Sequence, residues 1–407
     1  MPYKILIKLN YFSIVSYKKT LSLSFCMLEL EYLIPFLLYI PLGILAVLLI
    51  IQLYYIYAVY GKLATYKVES FQHRASTPAL SVIICAHNEQ ENLKAFLPQV
   101  LNQDYPDFEV VVVDDCSDDD TLWILKDFVN SYPGKIKIVE IKDYIRLKNT
   151  KKFAVTMGIK AAKHEHLVFT DADCQPQSEN WLAEIAGAFT PGKEIILGYS
   201  PYFKESGFLN KLIRFETAHT AMSYLSYALR GNAYMGVGRN LAYTRSLFFK
   251  GKGFNKHMHI KSGDDDLFVN HNATAENVQV VLHPDAQVAS VPKTSWKSYY
   301  KQKARHSGAS VLYKPRHKRM LAVQLVSAML FYVVLGLCFA FYPSLWFVPL
   351  AAYLTRLFSQ MMVFNNIYKK LGVRGILWWL PFLDIFYYFY ICINGAFNRS
   401  AKQGSWK

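Results

Sequence analysis

The sequence predicts an α/β domain with membrane-spanning segments on either side, and three observations predict it. Between about Leu80 and Thr170, short β-branched runs alternate with stretches of helical periodicity, the pattern of a parallel sheet with helices on both faces. Three carboxylate clusters fall where such runs end or in a loop: Asp114-Asp115, Asp171-Ala172-Asp173 and Asp264-Asp265-Asp266. Apolar segments of bilayer length flank the acidic region. Ligands of open α/β sheets bind outside the carboxyl ends of the strands. Acids gathered there suit a divalent cation, and a cation suits a phosphorylated substrate.

Composition narrows the classes. The 407 residues leave room for one large soluble domain plus membrane segments, or for two domains. A hydrophobic fraction of 53% and an aromatic fraction of 15% are high for a fully soluble chain. Much of the +15 net charge sits beside apolar segments, as in Lys314-Pro315-Arg316-His317-Lys318-Arg319. That run lacks the interleaved aromatics of a stacking platform, so nucleic acid is not the expected partner. Its place next to an apolar span fits the positive-inside effect and anionic headgroups. Six scattered cysteines with no C-x-x-C pair argue against a zinc site or disulfide framework and for a reduced, cytosolic setting.

Each element follows in order. Residues 1–31 are a basic, aromatic extension, and Met27, followed by Leu28-Glu29-Leu30-Glu31, is the expected true start. Residues 32–60 hold no charged side chain and are long enough for a tilted transmembrane helix despite Pro35 and Pro41. Glu29 and Glu31 precede it, and Lys62, Lys67 and Arg74 follow it. That asymmetry places its C-terminal side in the cytosol, with 61–77 as linker. In the domain, residues 78–315, strands are expected at Ser81–Cys85, Phe108–Val113, Ile136–Ile141 and His166–Thr170, with helices at Glu89–Leu101, Thr121–Val129 and Phe153–Ala162. Residues 320–365 read as a transmembrane hairpin turning at Tyr342-Pro343-Ser344, and residues 375–397 as a third hydrophobic helix, spanning or interfacial, before the tail 398–407. An ionised group at mid-bilayer costs ~2.5–3.5 kcal/mol on insertion scales, so Arg356 and Asp384 should face protein, water or each other.

The chemistry is expected at the strand ends. The first strand ends in Ala86-His87-Asn88-Glu89 and the second in Asp114-Asp115, adjacent positions able to bracket a base and ribose. Asp118 to Asp120 read better as caps for the helix at Thr121. No G-x-x-x-x-G-K-[ST] and no G-x-G-x-x-G follows the first strand, which weakens P-loop and dinucleotide readings. Alternate residues of an extended segment face one way, so Asp171 and Asp173 can share Mg²⁺ or Mn²⁺. Crowded carboxylates have raised pKa values suited to deprotonating a hydroxyl, which makes Asp264-Asp265-Asp266 the candidate base cluster. Gln302 and Arg305, three apart on a helix, can grip a leaving diphosphate.

These motifs, in this order, resemble the family 2 glycosyltransferases of the GT-A fold, an α/β, Rossmann-like mixed sheet. The likeness is strongest to the membrane-bound branch of cellulose, chitin, hyaluronan and poly-N-acetylglucosamine synthases, and it covers about Pro78 to Lys314 plus the flanking spans. The resemblance implies donor-binding roles for Ala86, Glu89, Asp115, Lys151, Asp171, Gln302, Arg305 and His306, and metal ligation by Asp171 and Asp173. It implies a sugar and acceptor pocket at Gly236, Gly238, Asn240 and Asp266. Ser262-Gly263-Asp264 falls where the family has T-E-D, which implies Asp264 as catalytic base with Asp265 as competitor. His306 stands where the family's Q-x-x-R-W has Trp, the residue that packs on the acceptor of processive synthases. The implied function is a membrane-anchored, inverting glycosyltransferase with a cytoplasmic catalytic domain. It would move a sugar from a nucleotide-diphosphate sugar, a UDP-sugar first, to a lipid-linked or glycan acceptor in envelope glycan synthesis. A processive polysaccharide synthase and a non-catalytic nucleotide-sugar-binding module remain as alternatives.

Overall fold

A computed structural model describes residues 39–72, 77–142, 151–260, 262–306 and 308–397, without the side chains of residues 305, 306 and 392–397. The N-terminal extension, residues 32–38 of the first apolar run, residues 73–76 of the linker (Arg74 among them) and the tail lie outside the described residues. The chain forms two compact units, Met1–Gln52 with Ser327–Arg356, and Leu53–Val326 with Leu357–Lys407.

The second unit holds the sheet. Helix α1, Ile40–Thr65, passes through one π-helical stretch at Tyr55–Tyr60 and runs on past Lys62. Then come β1 (Leu80–Ala86), α2 (Gln90–Leu101), β2 (Phe108–Asp115), α3 (Thr121–Ser131), β3 (Ile136–Ile141), α4 (Lys151–Ala161) and β4 (His166–Asp171). Every residue of β1 and β2 is buried, which is why their centres read as consecutive apolar residues, Val82-Ile83-Ile84 and Val110-Val111-Val112-Val113, with no alternation. Next are β5 (Cys174–Pro176), α5 (Trp181–Gly187), β6 (Ile195–Leu197), α6 (Phe208–Ala228), β7 (Leu241–Thr244), α7 (Arg245–Lys250), α8 (Asp266–Asn272), β8 (Val278–Val280), β9 (Val288–Ser290) and α9 (Trp296–His306).

The seven-stranded sheet has the order β3-β2-β1-β4-β7-β6-β8, and β5 pairs with β9 in a separate two-stranded ribbon. β1 to β4 pair in parallel, as the sequence pattern predicts. The sheet as a whole is mixed, because β7 runs antiparallel to both β4 and β6. The strand order turns outward in opposite directions from β1 and β4, so the switch point lies at their carboxyl ends. There Cys85 stands beside Asp171 and Ala86 beside Asp114.

Close packing fixes α4 over that point. A Cβ on Gly158 would lie 2.7 Å from Ile83 Cγ2 and 3.0 Å from Val113 Cγ2, so only glycine lets the helix sit this near the sheet. Its first turn carries Lys151 and Lys152 over the strand ends.

Among the described residues, three helices are long and apolar enough to cross a membrane: α1, α10 (Pro315–Phe341) and α11 (Phe347–Lys370). A last helix, α12 (Leu380–Phe397), packs through Phe382, Phe386 and Tyr387 against Phe208 and Phe215 of α6. In the first unit, Leu45, Leu48, Phe331, Leu335, Cys338 and Ala352 form a core. Arg356 is buried there against Tyr332 (2.6 Å) and Gln52 (3.3 Å). Asp384, in the second unit, accepts from Gln360 at 3.3 Å. Arg356 and Asp384 thus each meet polar side chains of their own unit, as the cost of burying a charge in apolar surroundings requires.

Candidate active site

The site is built from the two turns at the switch point, the end of β4 and the loop before α8. After β1, Asn88 adopts a left-handed conformation (φ 56°), as does Cys116 after β2 (φ 57°). Short polar side chains tolerate this region best. Asn88 Oδ1 accepts from Asp118 N at 2.8 Å and Asn88 N donates to Ser117 Oγ at 3.0 Å, so the two turns lock together. The cap of α3 comes from Asp119, whose Oδ1 accepts from Thr121 N at 3.0 Å; Asp120 occupies the N-cap position without a side-chain bond.

Lys151 reaches from the start of α4 to Asp171 at 2.6 Å and to Asp264 at 3.5 Å. Burial opposes its charge, but the two carboxylates outweigh that and hold the ammonium well above its ordinary pKa. Lys151, Asp171, Asp264, Asp265, Gly238 and Cys85 line one cleft. Ligand atoms of Asp171, which lines the cleft, and of Asp173 and Cys174 lie within 4.8 Å of one another. Burial, with Asp171 alongside, raises the Asp173 carboxyl. Burial also raises the Cys174 thiol well above its usual value, so it stays neutral. The donor set is therefore two carboxylate groups, which fits a hard divalent cation such as Mg²⁺ or Mn²⁺ and not a thiolate metal.

The three acids of the loop diverge. Gly263 has φ +93°, and a Cβ there would stand 2.6 Å from Leu267 Cδ1. A glutamate at this position would be strained as well as crowded, which accounts for S-G-D in place of T-E-D. Asp264 turns to Lys151. Asp265 caps α8 through Asp266 N and accepts from Gly238 N, both at 2.7 Å. Asp266 accepts from Tyr313 OH at 2.8 Å. Burial, then the neighbouring Asp264 and Asp266, push Asp265 up to about 7. Burial raises Asp266 to about 6 against the pull of the Tyr313 bond.

Residues 81–250 match the model for glycosyl transferase family 2, and residues 166–392, more than half of the chain, match glycosyl transferase family group 2. The chain belongs to the family 2 glycosyltransferases. It is 31% identical over 94 residues to a poly-β-1,6-N-acetyl-D-glucosamine synthase of Staphylococcus epidermidis, covering 23% of this chain and 21% of the synthase. It is 34% identical over 112 residues to glycosyltransferase AglE of Haloferax volcanii, covering 26% and 34%. These alignments thus span about a fifth to a third of each relative's length. A mannosyltransferase from Pyrobaculum calidifontis, solved with GDP-Man and Mn²⁺, superposes with a TM-score of 0.53 at 17% identity over 83% of this chain and 96% of that one. That likeness shows the GT-A fold.

Other residues expected at the transferase site have different surroundings. Asp115 is 1% exposed at the end of β2, one strand from the cleft and outside its lining. Ala86 is wholly buried inside β1, and Glu89 is buried with Asn92 donating to its carboxylate. Gly236 packs on Leu197, Leu241 and Val269, so its surroundings are apolar core. Asn240 also departs from the expected pocket lining. Its amide accepts from Trp181 Nε1 and donates to the carbonyls of Tyr199 and Ala286, all inside the protein. A buried amide so fully paired holds loops together. Gln302 donates to Tyr202 OH at 3.4 Å, on a helix tied to α6 by Glu216, which meets Tyr299 OH at 2.6 Å and Lys303 at 2.7 Å. The side chains of Arg305 and His306 lie outside the described ones.

Two residues escaped the sequence argument. Lys152 is fully buried and donates to the carbonyls of His257 at 2.6 Å and Ile260 at 3.2 Å, clamping the loop that leads to Asp264. Burial lowers its pKa to about 8. Arg239 stacks on Tyr202 with its guanidinium 4.3 Å from the ring centroid. The tandem Lys151-Lys152 and the lone charge within Gly236–Asn240 were the available signals.

Proposed function

We propose that this chain is an inverting glycosyltransferase that moves a sugar from a nucleotide-diphosphate sugar, a UDP-sugar first, to a lipid-linked or glycan acceptor at a membrane. The observation that carries the reading is Lys151 held between Asp171 and Asp264 in one cleft at the sheet's switch point. A metal-binding carboxylate and a prospective base there share one chamber, as single displacement at an anomeric carbon needs. Sugar-transferring names among the aligned relatives support the same class.

In this reading Asp171 and Asp173 hold Mg²⁺ or Mn²⁺, which when bound supplies Lewis-acid stabilisation of the departing diphosphate. Asp264 takes the proton of the attacking hydroxyl, from the face opposite the leaving group. Lys151 keeps both carboxylates in place and adds positive charge near the phosphates. In the same reading α9 contributes Gln302, Arg305 and His306 to diphosphate binding, and the ends of β1 and β2 contribute Glu89 and Asp115 to nucleotide binding. Asp265 fixes the loop through Gly238, and Asp266 with Tyr313 borders the acceptor. In this reading the three candidate spans anchor the domain, and Lys62 in α1 with Lys67 just after it supports a cytoplasmic side.

A donor screen scored by release of free UDP or GDP, with and without Mn²⁺, tests the reading. Metal-dependent release with one sugar nucleotide is expected; binding without release in any combination would leave a non-catalytic module. Product length on a gel separates single addition from the processive synthesis that the named Staphylococcus relative suggests.

A further inference from the structure

We infer that Arg239 is a binding residue for the donor's diphosphate: its free guanidinium N–H donates to a phosphate oxygen beside Asp171 and Asp173, with Tyr202 as its platform. This rests on the sugar-transfer reading. Arg239 sits in the single turn Gly238–Asn240 that enters β7, and both neighbours are clamped, Gly238 by Asp265 and Asn240 by three buried bonds. Its guanidinium is therefore aimed by the backbone. It lies on the Tyr202 ring, and Tyr202 is held in turn by Gln302 at its hydroxyl and by a bridge to Ser290. Asp173 belongs to the same frame, since its carbonyl accepts from Val291 N at 3.2 Å.

The guanidinium is under-used where it stands. Nη2 makes one long bond, 3.4 Å, to Ser200 O. Nη1 is shielded from solvent and has no hydrogen-bond partner among the described residues. Both Asp173 and Asp171 fall within its electrostatic range, yet none of the ion pairs among the described residues includes it. A shielded N–H without a partner carries a desolvation cost that a ligand oxygen removes. Charge points to the ligand's class. Two carboxylates, a divalent cation and a guanidinium sum to net positive, which an anion lying between them neutralises. Planar, fork-like donors suit a phosphate better than an ammonium does.

The role fits the bond changes of transfer. The bond from the anomeric carbon to the phosphate oxygen breaks, and its electron pair leaves on that oxygen. The acceptor oxygen forms the new bond, and its proton passes to Asp264. The nucleoside diphosphate departs with one more negative charge than it carried in the sugar nucleotide, and a donor already aimed at it stabilises that change.

The test is calorimetric titration of the full chain in detergent with UDP, GDP, uridine and guanosine, with and without Mn²⁺. Arg239→Met should bind the diphosphate that the wild type prefers ~10–100-fold more weakly, the loss of one charge-assisted donor. Its nucleoside affinity and its Mn²⁺ affinity without nucleotide should not change. Arg239→Lys should fall between the two, and Tyr202→Leu should weaken diphosphate binding in the same direction. These two carry the test if Arg239→Met does not fold. Undiminished diphosphate affinity in all three variants overturns the inference. So does an equal loss of Mn²⁺ affinity without nucleotide, which would make Arg239 a support for Asp173. A wild type that binds neither diphosphate overturns the sugar-transfer reading, and this inference with it.

Discussion

The acids at the end of β4 and the acids at the start of α8 are the same residue type, each set within three residues, yet the backbone uses them in opposite ways. Asp171 and Asp173 converge, with Cys174, to within 4.8 Å. Asp264, Asp265 and Asp266 diverge to Lys151, to Gly238 N and to Tyr313. In the first cluster Asp171 ends β4 and Asp173 lies in the turn that leads to β5, which brings the two carboxylates together. The second opens a helix, where successive side chains point about a third of a turn apart. Convergence gathers donors that suit a divalent cation; divergence gives three adjacent carboxylates three different partners. The predictions below test that contrast.

The largest expected effect is at Asp264, the acid of its cluster that faces Lys151 in the cleft. Asp264→Asn should lower transfer by ~10²–10⁴-fold, the usual cost of a lost general base, while nucleotide binding persists. Steady-state rates and a parallel binding titration check this. Full activity in the variant would move the base to Asp265.

Next is the converging pair. Asp173→Asn should weaken Mn²⁺ binding by at least ~10-fold, since even outer-shell losses reach that size. Electron paramagnetic resonance of free Mn²⁺ measures it without any turnover. Asp266→Asn, in the diverging cluster, should leave Mn²⁺ affinity unchanged. Equal losses in both variants would mean that the two clusters share one cation.

How much of this was legible follows from the range of the interactions involved. β1 to β4 and their helices showed in the sequence because burial on both faces writes unbroken apolar runs, and Asp171 showed because it ends one. Register then carried the argument: Cys85 beside Asp171 could be guessed from two strand ends. Past Thr190 the signals fade, because β6, β8 and β9 are three residues each, too short for periodicity. The antiparallel insertion of β7 left no local mark. The resemblance alone assigns Asn240 and Gly236 to the pocket, and the buried partners of both are not legible locally, because small or amide side chains suit tight backbone crossings as well as ligands. Lys152 was hidden because its partners are carbonyls 105 and 108 residues away, and main-chain oxygens have no sequence identity.

Among stability effects, Asp265→Ala should be the larger. It removes the cap of α8, worth ~0.5–2 kcal/mol, and leaves the Gly238 N–H unpaired, at ~1–3 kcal/mol. Chemical denaturation of the detergent-solubilised chain reads the loss. A variant as stable as the wild type would mean that the loop does not depend on Asp265 at all.

The last expected effect is a pH dependence that sets the diverging acids against the lysine behind them. Asp265 and Asp266 titrate near 7 and 6 in the folded protein, against 3.8 for an ordinary aspartate. The native state then holds protons that the unfolded chain has already given up. Their contribution to stability therefore falls as pH rises from about 4 to about 7, and is constant above that. Lys152 acts in the other direction: its folded value of about 8 lies below the ordinary 10.5. Between about 8 and about 10 the unfolded chain holds the extra proton, so stability rises with pH. Together the groups place a minimum at about pH 7–8 in chelator-containing buffer. Asp266→Asn should flatten the acid-side slope and leave the alkaline rise; Lys152→Met should remove the rise and leave the slope. A pH profile unchanged in both variants would show that these buried groups exchange protons no differently in the folded and unfolded chain, and that burial alone does not distinguish the loop acids from the pair after β4.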